Sequence, residues 1–108
     1  GVKFYGVPMF MEDCVTDCQK RNYAAIPMDT DILITHSPVY GILDFDDNTN
    51  YGSEALLERI SAIHLKAHLF GHIHVQHGIL KQQGMIFSNG AIMNEDYSNL
   101  NSPNLIEI

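Results

Sequence analysis

A chain of 108 residues has room for one small domain, read here as spanning 1–108. Its 45% apolar and 9% aromatic content supports a core and excludes a disordered tail. Acidic residues outnumber Lys and Arg by 13 to 6, giving a net charge of −7, and the cations form no cluster; this argues against a nucleic-acid backbone groove.

Residues 2–7 read as a short strand and 11–25 as a helical stretch ended by Pro27. Cys14 and Cys18 fall at i,i+4 on that stretch. A disulfide along one helical face would be strained, so they are expected to be reduced thiols of a cytoplasmic protein. Residues 31–35 (DILIT) follow acidic turn residues and read as a buried strand. Residues 39–52 form a polar loop rich in Asp, Asn and Gly, its acidic part 44–47 expected to be solvated. Ser53 is a candidate N-cap, and Leu56, Leu57, Ile60 and Ile63 give a helical period. Residues 67–70 (AHLF) make another buried strand, stopped by Gly71. Residues 78–81 and 85–88 flank a Gln-Gln-Gly turn as a hairpin, and 105–108 read as a last strand. The order implies an α/β layer with a parallel crossover and an antiparallel end. No apolar run approaches the ~20 residues of a membrane span, and no secretory leader is visible. Gly1 at the start fits a cleavage scar or an origin inside a longer chain.

Histidine carries the chemistry. Five of the six histidines fall within fourteen positions, 64 to 77. His72 and His74 are two apart, so in extended geometry they project to one side, and Gly71 permits a tight turn just before them. His36 also ends an apolar strand, where Pro38 takes the backbone out of the sheet. Ligands at the carboxyl ends of neighbouring strands are where α/β sheets build sites. Three histidines so placed form a mononuclear metal site or half of a dinuclear one. His64, at the end of the amphipathic helix, and His68, inside AHLF, read as structural. His77 follows the motif loop and is a candidate substrate contact. In so acidic a protein, an anionic substrate would need metal ions for its positive charge.

Gly71-His72-Ile73-His74 after Leu69-Phe70, with Thr35-His36-Ser37-Pro38 upstream, resembles the last two motif blocks of calcineurin-like metallophosphoesterases. Residues 31–38, Gly41-Ile42-Leu43-Asp44, residues 52–58 and Ser88-Asn89-Gly90-Ala91, followed by Asn94, Glu95 and Tyr97, resemble the metallophosphoesterase-domain (239AB-like) branch. The likeness runs from Lys3-Phe4-Tyr5-Gly6 to the final Ile-Glu-Ile. It implies the C-terminal half of an αββα sandwich, a mixed sheet flanked by helices. It implies His74 as a ligand of a first metal and His36 and His72 as ligands of a second. The metals would be Mn, Fe, Zn or Ni, and the reaction hydrolysis of a phosphodiester or phosphomonoester by a metal-activated water. The expected partner is a phosphate-ester small molecule or nucleotide, with no membrane. Ser37 stands where this branch often has glycine, and Asn89 and Asn94 match family blocks without being assigned as ligands.

Three opening blocks of the family, Asp-x-His, Gly-Asp and Gly-Asn-His, occur nowhere in these 108 residues. They would supply the bridging carboxylate, the asparagine ligand and the histidine assisting the leaving group. Little or no activity is therefore expected of this polypeptide by itself. The alternatives are an inactive half-domain that self-associates or binds a partner, such as the missing N-terminal half, and one with a mononuclear His36/His72/His74 site.

Overall fold

Short β-branched and aromatic runs become strands here because each finds a neighbour to pair with on both sides or at an edge. The computed structural model describes residues 1–7, 20–91 and 101–107. In chain order it contains β1 (Phe4–Val7), α1 (Lys20–Ala24), β2 (Ile32–Thr35), β3 (Phe45–Asp46), β4 (Thr49–Asn50), α2 (Glu54–Ile60), β5 (Ala67–Phe70), a 3₁₀ turn (His74–Gln76), β6 (Gly78–Gln82) and β7 (Met85–Asn89).

Five strands form one sheet in the order β1-β2-β5-β7-β6. The first four run parallel and β6 returns antiparallel to β7, as the mixed α/β reading expects. The carboxyl ends of β2, β5 and β7 therefore lie at one end of the sheet, which is where the candidate residues follow. The β6–β7 hairpin turns through Gln83 (φ 52°) and Gly84 (φ +79°), the paired positive φ values of a tight two-residue loop.

Pairing aligns Tyr5, Leu33, His68, Phe87 and Leu80 in one row across the sheet. That row and its alternate, through Val7 and Phe70, belong to the face covered by the helices. Leu33 and Phe87 pack with Tyr23 and Ile26 around α1 and with Leu56, Ile60 and Ile63 on and after α2. Ser53 caps α2, its Oγ accepting from Leu56 N–H at 3.0 Å. Arg59 Nε donates to the Ile26 carbonyl at 3.1 Å and ties α2 to the end of α1. The opposite face carries Phe4, Ile34 and Ile79, all exposed. No helix among the described residues is long and apolar enough to cross a membrane.

Several expectations need correction. Residues 39–52 are more ordered than a polar loop. β3 and β4 form a small hairpin whose turn residues Asp47 and Asn48 sit at φ 47° and 58°, and Val39 pairs in parallel with Ser53. Gly52 is required there, because a Cβ would lie 2.1 Å from the Val39 carbonyl oxygen. Asp44 is buried rather than solvated. Its Oδ2 accepts from Gly41 N–H and Gly52 N–H, each at 2.9 Å, and so closes the base of the loop. His64 stands beyond the end of α2 and is exposed, so it does not cap the helix.

Residues 101–107 form no strand. They are held by side chains instead: Asn104 Nδ2 approaches the carbonyls of Gly78 and Asn89 and Ser88 Oγ at 2.9–3.0 Å. Of the strand expected at 105–108, residues 105–107 are not extended into the sheet: the amide anchor stands in place of a backbone ladder, and Leu105 is 85% exposed; residue 108 lies outside the described residues. Of the helical stretch at 11–25, only the part from residue 20 falls within the described residues. Cys14, Cys18 and Asn94 lie outside them.

Candidate metal centre

The parallel ladder itself brings two of the candidate histidines together. Ile34 pairs with Leu69, and the pairing continues one rung further where Gly71 N–H donates to the His36 carbonyl at 3.1 Å. His36 and His72 thus leave the ends of adjacent strands side by side. Their rings lie with centroids 4.5 Å apart, and His36 Nε2 is 3.0 Å from His72 Nδ1. Two imidazoles at that distance share one proton, with one N–H donating to the other ring's lone pair.

His72 pays for this placement with backbone strain. Its φ of 73° is in the left-handed region, and Ile73 N–H donates back to the Gly71 carbonyl at 2.9 Å. An i→i+2 bond across a residue of positive φ is a γ-turn, a rare and strained conformation. The extended geometry expected for His72 and His74 is therefore absent. His74 instead opens the 3₁₀ turn that follows. Ile73 between them turns inward and is 5% exposed, which anchors the loop.

Among the described residues, no group of three or more His, Cys, Asp or Glu is gathered closely enough to hold a metal ion. The structure brings His36 to His72 and does not add His74 to the pair. The pair's 3.0 Å nitrogen separation is near the ~3.3 Å that two imidazoles span on one tetrahedral zinc with bonds of ~2.0–2.1 Å. His77 follows the 3₁₀ turn, and its buried Nε2 has no hydrogen-bond partner.

Three buried polar residues frame the pair, and sequence reading gave none of them this role. Asn89, at 0% exposure, ends β7 beside Phe70. Its amide donates to the carbonyls of Ile73 (2.9 Å) and Leu43 (3.2 Å), and its Oδ1 accepts from Ala91 N–H at 3.0 Å. One side chain thereby joins the histidine loop to the loop closed by Asp44. The only sequence cue was its place in a family block. His68, also 0% exposed, was read as structural, and burial agrees. Its Nε2 lies 2.8 Å from Thr35 Oγ1, while that hydroxyl donates to the Ser37 carbonyl at 2.6 Å. The hydroxyl has one hydrogen, so His68 must be the donor, as the neutral Nε2–H tautomer. Its Nδ1 is buried without a partner. Desolvation pushes the His68 pKa down to about 3. Ser37, third of the set, is fully buried with its Oγ unpartnered.

An open cavity of about 340 Å³ lies on the helix side, lined by Ala24, Ala55, Glu58, Arg59 and Ala62. No histidine lines it.

No family model matches the chain. Comparison with curated proteins finds 40% identity over 73 residues to UPF0046 protein K07C11.7 of Caenorhabditis elegans, covering 68% of this chain and 25% of that protein. UPF0046 protein C25E10.12 of the same organism is 28% identical over 120 residues, covering the whole chain and 43% of its own length. Metallophosphoesterase domain-containing protein 1 of Homo sapiens is 31% identical over 86 residues, covering 77% of this chain and 26% of that protein. With its mixed α/β sheet and its histidines at the strand ends, the chain belongs to the metallophosphoesterase-domain family, and it spans about a quarter to two-fifths of the length of these relatives.

Proposed function

We propose that this chain supplies the closing metal ligands of a metal-dependent phosphoesterase site, with His36 and His72 as one ligand pair and His74 as a ligand of a neighbouring ion. The observation that carries the reading is the 3.0 Å approach of His36 Nε2 and His72 Nδ1 at the carboxyl ends of paired strands. Two imidazole nitrogens 3.0 Å apart would bind one divalent cation once the hydrogen bond between them is broken and both lone pairs turn to the ion. Divalent ions held there would supply positive charge for a phosphate and lower the pKa of a bound water. The chain's own residues would orient these ligands, exclude water from below through Ile73, and offer His77 to a substrate oxygen. The nitrogen ligands suit Mn, Fe, Zn or Ni.

The test is equilibrium dialysis of the purified 108-residue polypeptide against Zn²⁺ or Mn²⁺, with metal counted per chain. Bound metal is expected, and it should be lost in His36→Ala and His72→Ala. No bound metal in the unaltered polypeptide would refute the reading. Turnover of bis(p-nitrophenyl) phosphate by this polypeptide alone is expected to be negligible, since the three opening ligand blocks are not among its residues. Measurable metal-dependent turnover would show that the closing ligands suffice.

A further inference from the structure

Beneath the His36–His72 pair runs a buried polar chain whose presence a packed core does not require. The row across the sheet reads Tyr5, Leu33, His68, Phe87 and Leu80. An apolar residue at 68 would continue it. The imidazole packs as one would, with ring centroids 4.7 Å from Phe70 and 6.1 Å from Phe87. It nevertheless leaves Nδ1 buried without a partner, which costs stability. A buried polar group kept at such a cost should secure something through its other nitrogen.

That nitrogen reaches the residue before His36. Thr35 Oγ1 accepts from His68 Nε2–H at 2.8 Å and donates to the carbonyl of Ser37, the residue after His36, at 2.6 Å. The hydroxyl bridges across His36 and folds the chain around it. Its rotor is free in principle, and the His68 N–H aligns it so that its single hydrogen points at Ser37. His68 belongs to β5, the strand that carries His72 at its end. The relay therefore couples the turn at His36 to the strand that carries its partner.

We propose that His68 is a positioning residue, which through the Thr35 hydroxyl fixes the turn at His36 so that His36 and His72 face one cation. This rests on the metal-ligand reading above. Partners that orient ligands typically change metal affinity by about 10–100-fold when removed.

The experiment compares Co²⁺ affinity, read from its visible absorption, in the 108-residue chain and in three variants. His68→Phe keeps the ring packing and removes both nitrogens; it should fold at least as stably and bind Co²⁺ roughly 10–100-fold more weakly. Thr35→Val, which keeps the shape and removes the hydroxyl, should show the same loss. His68→Gln can place an amide N–H near the position of Nε2 and should recover most of the affinity. A role in packing alone predicts unchanged affinity in His68→Phe and Thr35→Val, and that result overturns the proposal. Equal loss in His68→Gln and His68→Phe overturns it too. Should His68→Phe not fold, Thr35→Val decides.

A metal-free readout separates this inference from the metal reading. The ¹⁵N–¹⁵N coupling across the His36–His72 hydrogen bond should be present in the unaltered chain and in His68→Gln, and absent in His68→Phe. If the chain takes up no cobalt but the coupling behaves so, the positioning role stands and the metal reading falls. An Nδ1–H tautomer at His68 in the imidazole nitrogen spectrum would overturn the relay whatever the metal does.

Discussion

His68 and His72 depart from ordinary residue behaviour in opposite ways, one in its protonation and one in its backbone. Burial holds the His68 pKa at about 3, below the 6.5 of an exposed imidazole. Between those values the unfolded chain takes up a proton at this position that the folded chain does not. Stability from this group is therefore fully present above pH 6.5 and is lost as pH falls toward 3, by up to about 1.4 kcal/mol per pH unit. Chemical denaturation at pH 7 and pH 5 should differ by about 2 kcal/mol from His68 alone. His68→Phe should lose that component, and an unchanged pH slope in the variant would contradict the assignment. At His72 the left-handed φ of 73° disfavours any side chain with a Cβ. His72→Ala and His72→Gly both lose the hydrogen bond to His36, but only glycine relieves the strain. His72→Gly should thus be more stable than His72→Ala by about 1 kcal/mol, or roughly 4–8 °C in thermal melts. Equal melting temperatures would mean the γ-turn is not strained in solution.

Within the elements, the site depends on a few buried polar anchors rather than on helices. Asn89 ends β7 and holds both the Ile73 and Leu43 carbonyls. Asn89→Ala would leave the buried Ile73 carbonyl without this donor, at about 1–3 kcal/mol, and the part-buried Leu43 carbonyl at less. Hydrogen exchange should quicken at residues 73–76 and around 41–44 while amides of β2 and β5 stay protected. Uniform quickening across the sheet would instead assign Asn89 to global stability. β1, β2, β5, the Ser53 cap and the β6–β7 hairpin were legible in the sequence because period, cap and turn chemistry are local, whereas β3 and β4 lay hidden in a stretch that reads as polar loop. Asp44 was not, since its charge reads as solvent-facing until Gly41 and Gly52 are seen to donate to it. The same limit applied at the site. His36 and His72 could be placed by the strands they end, but the γ-turn that separates His74 from them is a backbone event without a residue code. Thr35 and His68 stand 33 positions apart, so their contact depends on the β2–β5 register, which no local pattern specifies.

For the molecule as a whole, the two faces of one sheet have different fates. Leu33 points to the helix-covered face and is 0% exposed; its neighbour Ile34 points the other way and is 44% exposed. Ile34 shares its row with Gly6, Leu69, Ser88 and Ile79; Asn104 covers Ser88, so the exposed apolar side chains of this face, Phe4 and Ile34 toward one edge and Ile79 at the other, flank a covered stretch. A short chain buries a smaller share of its surface and so leaves apolar side chains of one sheet face in solvent. This makes the two neighbours unequal under substitution. Leu33→Ala should cost about 2–5 kcal/mol, since it opens a cavity among close-packed side chains. Ile34→Lys can lay its methylene stem along the sheet with the ammonium in water, so its cost should stay within about 1 kcal/mol. It should also lower the binding of a hydrophobic dye and raise solubility, by removing an exposed apolar side chain. Denaturation of both variants decides the point. If Ile34→Lys proves as costly as Leu33→Ala, the outer face is covered in solution, and the chain closes its core on both sides of the sheet.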